Sequence, residues 1–393
     1  MKIALNENYQ NLKKSYLFSE VGKRVKAYSA AHPEVKIIRL GIGDVTLPLA
    51  PVVVDAMHKA VNEMGDKSTF RGYAPEYGYD FIREAVSRYY ADRGTDISPD
   101  EVFVGDGAKS DLGNLTDILG DNEILIPDPV YPVYVDSNIM CGRRVTLLPA
   151  TAANGFLPMP PEGKNNPTVV YLCSPNNPTG AVYSADGLKQ WVDYANATGS
   201  LLIFDSAYEA YIRDDSPRSI FEIAGARTCA IEVCSLSKSA GFTGTRCGWT
   251  IIPRELCVGD RSLAELWERR QATKFNGVPY VIQRAAEAAL SKEGQRQNAA
   301  NVAYYMENAA NLAALLTAKG ISFTGGISSP YIWLKCPNGM DSWSFFDYLL
   351  TTFGIVGTPG AGFGKEGEGY FRLTSFGSHE ATAEAIERLR HGL

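Results

Sequence analysis

A short segment of this 393-residue chain places a lysine and an arginine close together among small residues. Residues 235–249 read SLSKSAGFTGTRCGW, with Lys238 behind Ser235 and Ser237 and with Arg246 further along. Glycines and threonines between the two cations are poor formers of a helix or a packed strand, so we expect a loop. Because like charges repel at short range, an anionic ligand between the cations would explain the arrangement.

Lys238 is the candidate nucleophile of this segment. An ordinary lysine is almost wholly protonated at neutral pH, whereas a nearby guanidinium and partial burial favour the neutral amine. A neutral amine can form an imine with an aldehyde. Ser235, Ser237 and Arg246 would then supply donors and positive charge for a phosphate. A solvated loop lysine is the alternative, and this segment alone does not decide between the two.

A carboxylate directly follows a strongly apolar run in LLIFDSAYEAY. An unpaired charge is costly there, so Asp205 needs a cationic partner. A pyridinium nitrogen would serve, and it would make the ring an electron sink. Tyr208 could then donate its hydroxyl to a phenolic oxygen of the same ring. A helix N-cap is the alternative interpretation of Asp205.

Three further segments offer groups suited to a flat, phosphorylated cofactor. In VFVGDGAKSDL, Ala108 and Lys109 begin a predicted helix, and their backbone amides can bind phosphate. Tyr131 in DPVYPVY offers a face for an aromatic ring, and Asn177 in CSPNNPTG can aim an amide into a crevice. A tight turn, a core contact of Tyr131 and an ordinary Asn-Pro turn are the alternatives.

An arginine interrupts the apolar strand in GYFRLTSFG. The planar fork of Arg372 suits a bidentate substrate carboxylate, with an internal salt bridge as the alternative. Together with the preceding segments, this completes a set: an imine-forming amine, a ring partner, a stacking face, a phosphate cup and a carboxylate clamp. That set describes pyridoxal 5′-phosphate as the cofactor.

The elements that must position these groups alternate along the chain. Buried strands are indicated by EVFVGDG, NEILIPDP, TVVYLCSP, SLLIFDSAY, TCAIEVCSLSK and CGWTIIP, and residues 184–198 have helical periodicity. This alternation predicts an α/β fold with a mostly parallel sheet covered by helices on both faces. Since ligands bind at the carboxyl ends of such strands, we expect the candidate groups to meet there.

The C-terminal region predicts a second, smaller α/β domain. Residues 281–319 form an Ala-rich helical stretch with a break expected near Gly294. SSPYIWLKC and GYFRLTSFG are strand-like, with a helix at SWSFFDYLLTTFG between them. We expect an N-terminal arm with part of the small domain over 1–44, a large cofactor-binding domain over 45–285, and a small C-terminal domain over 286–393.

Composition argues against several partners. A net charge of −6 without a basic cluster predicts no nucleic-acid binding. Seven cysteines, without a C-x-x-C pair, predict neither a disulfide framework nor a metal site, and they favour a reducing compartment. No apolar stretch approaches ~18 residues, so we expect no membrane association and a cytoplasmic protein.

Over essentially the whole chain, the order of SPNNPTG, DSAYEAY and SLSKSAGFTGTRCGW resembles the fold-type I pyridoxal-phosphate aminotransferases. The resemblance implies that Lys238 carries the cofactor and transfers the proton, and that Asp205 pairs with the pyridinium. It likewise implies that Asn177 and Tyr208 bind the phenolate oxygen and that Arg372 binds the substrate α-carboxylate.

Within that family, IIRLGIGDVTLPLAP, TFRGYAPEYGY, RRQATKFNGVPY and SPYIWLK are similar to the L,L-diaminopimelate aminotransferases. This similarity implies interconversion of L,L-diaminopimelate and 2-oxoglutarate with tetrahydrodipicolinate and glutamate, on the route to lysine and cell-wall peptide. The substrate site that it implies comprises Tyr16, Gly43, Lys109, Tyr131, Asn177, Asn276 and Arg372. It also implies a homodimer with shared active sites, in which Tyr73 and Asn276 reach the site of the other subunit, Tyr73 at the cofactor phosphate.

Other functions stay open on the sequence alone. An aminotransferase for aspartate, alanine or aromatic substrates, or a carbon–sulfur lyase, would use the same fold. A non-catalytic cofactor-binding regulator would need an attached DNA-binding module, for which we find no spare length. A Rossmann dehydrogenase is disfavoured, because VGDGAK lacks the third glycine of G-x-G-x-x-G.

Overall fold

The computed structural model describes residues 3–12, 17–41 and 43–393. Its helices are α1 (Leu17–Ala31), α2 (Pro51–Met64), α3 (Asp80–Ala91), α4 (Ala108–Asn114), α5 (Val133–Met140), α6 (Ala185–Thr198), α7 (Leu236–Ser239), α8 (Leu263–Lys274), α9 (Tyr280–Leu290), α10 (Lys292–Ala318), α11 (Ser342–Phe353) and α12 (His379–Arg390). Within these described ranges, none of the helices combines the length and the apolar character needed to span a membrane.

The strands form one large sheet, one smaller sheet and two short pairs. They are β1 (Ile38–Arg39), β2 (Val102–Gly105), β3 (Ile124–Asp128), β4 (Val145–Pro149), β5 (Val169–Cys173), β6 (Leu201–Asp205), β7 (Ala230–Ser235), β8 (Gly248–Ile251), β9 (Cys257–Val258), β10 (Arg261–Ser262), β11 (Phe323–Gly325), β12 (Tyr331–Lys335), β13 (Ile355–Val356), β14 (Thr358–Pro359) and β15 (Tyr370–Thr374).

The large sheet has seven strands in the order β2-β8-β7-β6-β5-β3-β4. Strand β8 is antiparallel to both of its neighbours, and the others run in one direction. Every residue of β2, β3, β5, β7 and β8 is buried, as a sheet covered on both faces requires. The predicted α/β class with a mostly parallel central sheet is confirmed.

Alternate side chains of the sheet enter different apolar clusters. Ile124 and Ile126 pack in a cluster that also contains Trp267, whereas Leu125 between them packs with Trp191. This alternation follows from the two-residue period of a strand. Because helices cover both faces, a ligand would bind at the edge of the sheet where its parallel strands end.

The smaller sheet is antiparallel, with the order β11-β12-β15-β14. Strand β1 pairs with β13, so the N-terminal region joins the C-terminal one. Their shared core includes Val25 and Leu40 together with Phe346 and Leu389. The exact domain boundaries given above stay a prediction.

The break expected near Gly294 in the long C-terminal helical stretch is confirmed, and it lies at Ser291, three residues before that glycine. Ser291 ends α9 and caps α10, where its Oγ accepts a hydrogen bond of 3.0 Å from the Gly294 amide. Gly294 lies inside α10, and a Cβ there would overlap the carbonyl oxygen of Ala288. The glycine therefore permits a close approach of the backbone rather than breaking the helix.

Candidate active site

One cavity of about 510 Å³ lies at the carboxyl ends of β2, β5, β6 and β7. Its volume is within the usual range for small-molecule sites. The predicted residues that line it are Gly43, Ala108, Lys109, Tyr131, Asn177, Asp205, Tyr208, Ser235, Ser237, Lys238, Arg246 and Arg372. Clefts of about 730 and 780 Å³ exist elsewhere, but neither is lined by these residues. The residues that line this cavity, rather than its volume, make it the candidate active site.

Two predicted site residues that the structure describes, Tyr73 and Asn276, do not line the cavity. The side chain of Tyr73 is 88% exposed, and Asn276 is also exposed; neither lines the cavity of its own chain. Tyr16 lies outside the described residues. Whether Tyr73 and Asn276 serve a second subunit stays a prediction.

Lys238 lies on the one-turn helix α7, not in the loop that was expected. Ser235 caps this turn by accepting a hydrogen bond of 3.1 Å from the Ser237 amide. The lysine Nζ donates to the carbonyl oxygen of Gly43. Its environment favours the neutral amine, because burial in the cavity wall excludes water from the charged form.

Burial lowers the pKa of Lys238 to about 8. The carboxylate of Asp44 opposes this effect, while the charges of Arg372 and Arg246 add to it. About a tenth of the amine is therefore neutral at pH 7, far more than for an ordinary lysine, and the neutral form is the one that a nucleophile or general base requires.

Arg246 has an unusual backbone for a large side chain, with φ of +63°. This left-handed conformation costs on the order of 1 kcal/mol outside glycine. Its Nη1 donates to Ser237 Oγ at 3.1 Å and to the Thr243 carbonyl at 3.3 Å. No carboxylate among the described residues forms an ion pair with it. An uncompensated guanidinium beside the cavity favours an anionic ligand.

Glycine allows the elements that were predicted to bind phosphate to approach one another. Gly107, with φ of +117°, precedes α4, and a Cβ on it would overlap the Arg246 guanidinium. Gly248 of β8 pairs with both Gly105 of β2 and Ser235 of β7. The first turn of α4, whose amides cannot all bond within the helix, is thus brought beside Arg246 and the serine turn.

We expect Gly107→Ala to weaken binding of a phosphorylated ligand by at least about tenfold, because the new methyl group would displace Arg246 from its charge-assisted contacts. Titration of pyridoxal phosphate into the apoprotein, followed by absorbance, measures the effect. Gly155→Ala is the matched control: Gly155 also has positive φ, at +63°, but a Cβ there meets nothing within 4 Å. Equal affinities of the two variants would contradict the role given to this cradle.

Asp205 ends strand β6 as a buried carboxylate. Its Oδ2 accepts a hydrogen bond of 2.6 Å from the Tyr134 hydroxyl, and its Oδ1 accepts one of 3.0 Å from the Ala207 amide. The N-cap of the following short helix is Tyr208, so the capping explanation of Asp205 was wrong. Burial raises the pKa of Asp205, against the effect of these two hydrogen bonds. A cationic group in the cavity would stabilise the ionised form.

Arg372 is buried on β15, between Trp333 of β12 and Thr358 of β14. Its Nη1 donates to Asn177 Oδ1 at 2.6 Å, and its Nη2 donates to the Gly41 carbonyl at 2.9 Å. Its Nε has no hydrogen-bond partner in the part of the chain that the structure describes. Among the residues described, no carboxylate pairs with this guanidinium, so the internal salt bridge considered above is absent there. The geometry instead leaves a buried cation at the cavity for an incoming anion.

Two tyrosines of the site were missed from the sequence. Tyr134 reaches Asp205 from α5, and the Tyr331 hydroxyl lies 2.6 Å from that of Tyr208. Tyr134 lies three residues after Tyr131 in the same DPVYPVY segment, at the start of α5, so the segment that suggested one tyrosine also offered the second. Tyr331 begins β12 inside the SPYIWLK segment and carried no chemical signal of its own.

The donor set fits a flat aromatic cofactor with a phosphate group. Arg246 lies beside the serine turn and the start of α4, where a phosphate would be held, and Asp205 supplies a buried carboxylate across the cavity. Lys238 lines the same cavity, with an amine whose pKa is lowered. The remaining buried cation, Arg372, suits a second anion such as a substrate carboxylate.

This fold and this set of charges define a pyridoxal-phosphate-dependent class of enzymes. The chain belongs to the aminotransferase class I and II family, whose model matches residues 35–389. It is similar to the LL-diaminopimelate aminotransferases of Lachnospira eligens, at 55% identity over 98% of this chain and 99% of the relative, and of Bacteroides thetaiotaomicron, at 52% identity over 99% of each.

A solved structure is also closely similar. The L,L-diaminopimelate aminotransferase from Chlamydomonas reinhardtii superposes with a TM-score of 0.94 at 38% identity, over 99% of this chain and 98% of that chain. The resemblance to the fold-type I aminotransferases is therefore confirmed, as is the closer similarity to the diaminopimelate enzymes.

Proposed function

We propose that this protein is a pyridoxal-phosphate-dependent aminotransferase that interconverts L,L-diaminopimelate and 2-oxoglutarate with tetrahydrodipicolinate and glutamate. The observation that carries the reaction class is the convergence of Lys238, Asp205 and Arg372 on one cavity. The substrate assignment is supported by full-length relatives that bear the name of this activity at 52–55% identity.

Residues on two sides of the cavity would hold the cofactor. The phosphate would be bound by the start of α4 at Ala108 and Lys109 and by Ser235, Ser237 and Arg246. Tyr131 would pack against the ring and Asp205 would bind its nitrogen. Asn177 and Tyr208 would bind the phenolic oxygen. When bound, pyridoxal phosphate supplies an electron sink for negative charge that develops at the substrate α carbon.

Lys238 performs the proton transfer in this proposal. Its neutral Nζ would accept the proton from the substrate α carbon, and the protonated Nζ would then be the donor that returns it. The pKa of about 8 suits both directions, because a base effective in both must neither hold its proton too tightly nor too weakly. The neighbouring Arg246 and Arg372 keep the protonated form from becoming too stable.

Arg372 orients the substrate for that transfer. Among the described residues its Nε has no partner, and its Nη1 donates to Asn177, so the guanidinium can donate to a carboxylate in place of its present contacts. A bidentate contact fixes the direction of the α carbon as well as binding it. Substrate without an α-carboxylate should therefore lose both affinity and turnover.

The exposed positions of Tyr73 and Asn276 support a homodimer in which each residue completes the site of the other subunit. Tyr73 is 88% exposed on its own chain, and tyrosines are enriched at subunit interfaces. Sedimentation of the purified holoenzyme measures its mass; a monomer at micromolar concentration would contradict the shared-site arrangement.

The substrate assignment is tested by incubating the purified holoenzyme with L,L-diaminopimelate and 2-oxoglutarate and measuring glutamate. We expect kcat/KM for this donor to exceed that for aspartate, alanine or phenylalanine by at least about tenfold. A reaction without 2-oxoglutarate is the control for glutamate that does not come from transamination. Efficient turnover of aspartate with no reaction of diaminopimelate would retain the reaction class and overturn the substrate.

A further inference from the structure

Tyr331 occupies a position between two functional groups of the cavity. Its hydroxyl lies 2.6 Å from the hydroxyl of Tyr208, and the two rings meet edge to face at 5.0 Å. The Cζ atom of Arg372 lies 4.5 Å from the centroid of the Tyr331 ring. The residue is 1% exposed and comes from the small antiparallel sheet, whereas Tyr208 follows a strand of the large sheet.

Either of the two phenols can be the donor in the hydrogen bond between them. Each phenol has one proton to donate. Neither hydroxyl has another hydrogen-bond partner among the residues described. If Tyr208 donates to a ligand in the cavity, its oxygen can still accept, and the proton that it accepts must come from Tyr331. Tyr331 thus determines whether the proton of Tyr208 is available to the ligand.

The guanidinium above the ring affects the same hydroxyl. Burial raises the pKa of Tyr331, whereas the charge of Arg372 and the contact with Tyr208 lower it. The cation therefore makes Tyr331 a stronger hydrogen-bond donor. A carboxylate bound at Arg372 would neutralise that charge and make Tyr331 a weaker hydrogen-bond donor. The hydrogen bond from Tyr331 to Tyr208 would then weaken as well.

We propose that Tyr331 is a positioning residue that directs the hydroxyl proton of Tyr208 into the cavity and couples it to the charge state of Arg372. The proposal rests on the function given above, since it needs Tyr208 to face the phenolic oxygen of the cofactor. By reciprocity, binding of a carboxylate and the ionisation of the bound cofactor must then influence each other.

The experiment compares wild type with Tyr331→Phe, both as holoenzymes, by titrating the absorption spectrum of the bound cofactor with pH. A donor to the phenolic oxygen stabilises negative charge there, so weakening it should raise the midpoint of the spectral transition. We expect an upward shift of about half a pH unit or more in Tyr331→Phe. Tyr183→Phe, which removes a buried hydroxyl that donates to the Pro158 carbonyl outside the cavity, should leave the midpoint unchanged.

Two further measurements separate coupling from packing. In Tyr208→Phe the target of the coupling is absent, so adding Tyr331→Phe should shift the midpoint no further. Glutarate, at a concentration that inhibits the reaction, should move the midpoint of wild type, and should move that of Tyr331→Phe less than half as far.

The outcomes distinguish this proposal from the proposed function. An unshifted midpoint in Tyr331→Phe, full additivity with Tyr208→Phe, or an undiminished response to glutarate would each overturn the coupling and leave the proposed function intact. Failure of the wild-type protein to bind pyridoxal phosphate would overturn the function and the coupling together.

Discussion

Lys238→Ala is expected to abolish transamination, with a fall in kcat of at least about 10³-fold, while leaving the fold and noncovalent cofactor binding in place. The loss is large because one amine serves as nucleophile and as proton carrier. Cofactor binding should persist because Arg246 and Asp205 lie on other parts of the cavity wall. Steady-state assay with a sensitive glutamate readout measures the fall.

Lys189→Ala is the control for this substitution. Lys189 is an exposed residue of α6 that pairs with Asp193, one turn away, so its loss should leave kcat unchanged. Borohydride treatment of the wild-type holoenzyme, followed by mass spectrometry, should attach the cofactor to Lys238 and to no other lysine. Labelling elsewhere, or turnover by Lys238→Ala near the parent rate, would refute the assignment.

The sequence predicted where the site would form better than how its members contact one another. Apolar runs located the strands of the large sheet apart from β4, whose partly exposed residues lack a continuous apolar run. Parallel topology then required the groups that follow those strands to meet at one edge. Lys238, Asp205 and Asn177 line one cavity for that reason.

Contacts between distant parts of the chain could not be predicted in the same way. Tyr134 and Asp205 are 71 residues apart, and Tyr208 and Tyr331 are 123 apart. The pattern of a strand or helix reports that a side chain is buried, but not which distant group will face it. Sequence therefore assigned Tyr208 a ligand and left its hydroxyl partner unknown.

Arg372 illustrates a second limit. An arginine in an apolar strand implies an anionic or strongly polar partner, and the sequence does not distinguish a protein carboxylate from a ligand. In the described part of the chain, the structure shows no carboxylate partner: Nη1 and Nη2 donate to an amide oxygen and a carbonyl, and Nε has no partner. Whether a carboxylate of the protein faces a buried arginine depends on the folded site and is not visible in the local sequence.

Asp205→Asn is the second substitution with a large expected effect. The amide has the shape of the carboxylate and can keep both neighbours: its oxygen accepts from the Ala207 amide, and its NH₂ group donates to Tyr134 once that hydroxyl turns. The fold should therefore survive, but the negative charge that holds a ring nitrogen protonated is lost. We expect kcat to fall by at least about 10²-fold and cofactor affinity by about tenfold.

Asp128→Asn makes the same chemical change at the end of another strand of the large sheet. Asp128 ends β3 and accepts from the Lys365 and Glu366 amides, but it does not line the cavity. Comparing kcat and the cofactor dissociation constant of the two variants separates loss of charge at the ring from loss of a buried carboxylate in general. A fall in kcat and affinity confined to Asp205→Asn fits a carboxylate that pairs with a cationic ring. Equal falls in both variants would mean that Asp205 acts only by supporting the end of the sheet, and another residue would have to bind the ring nitrogen.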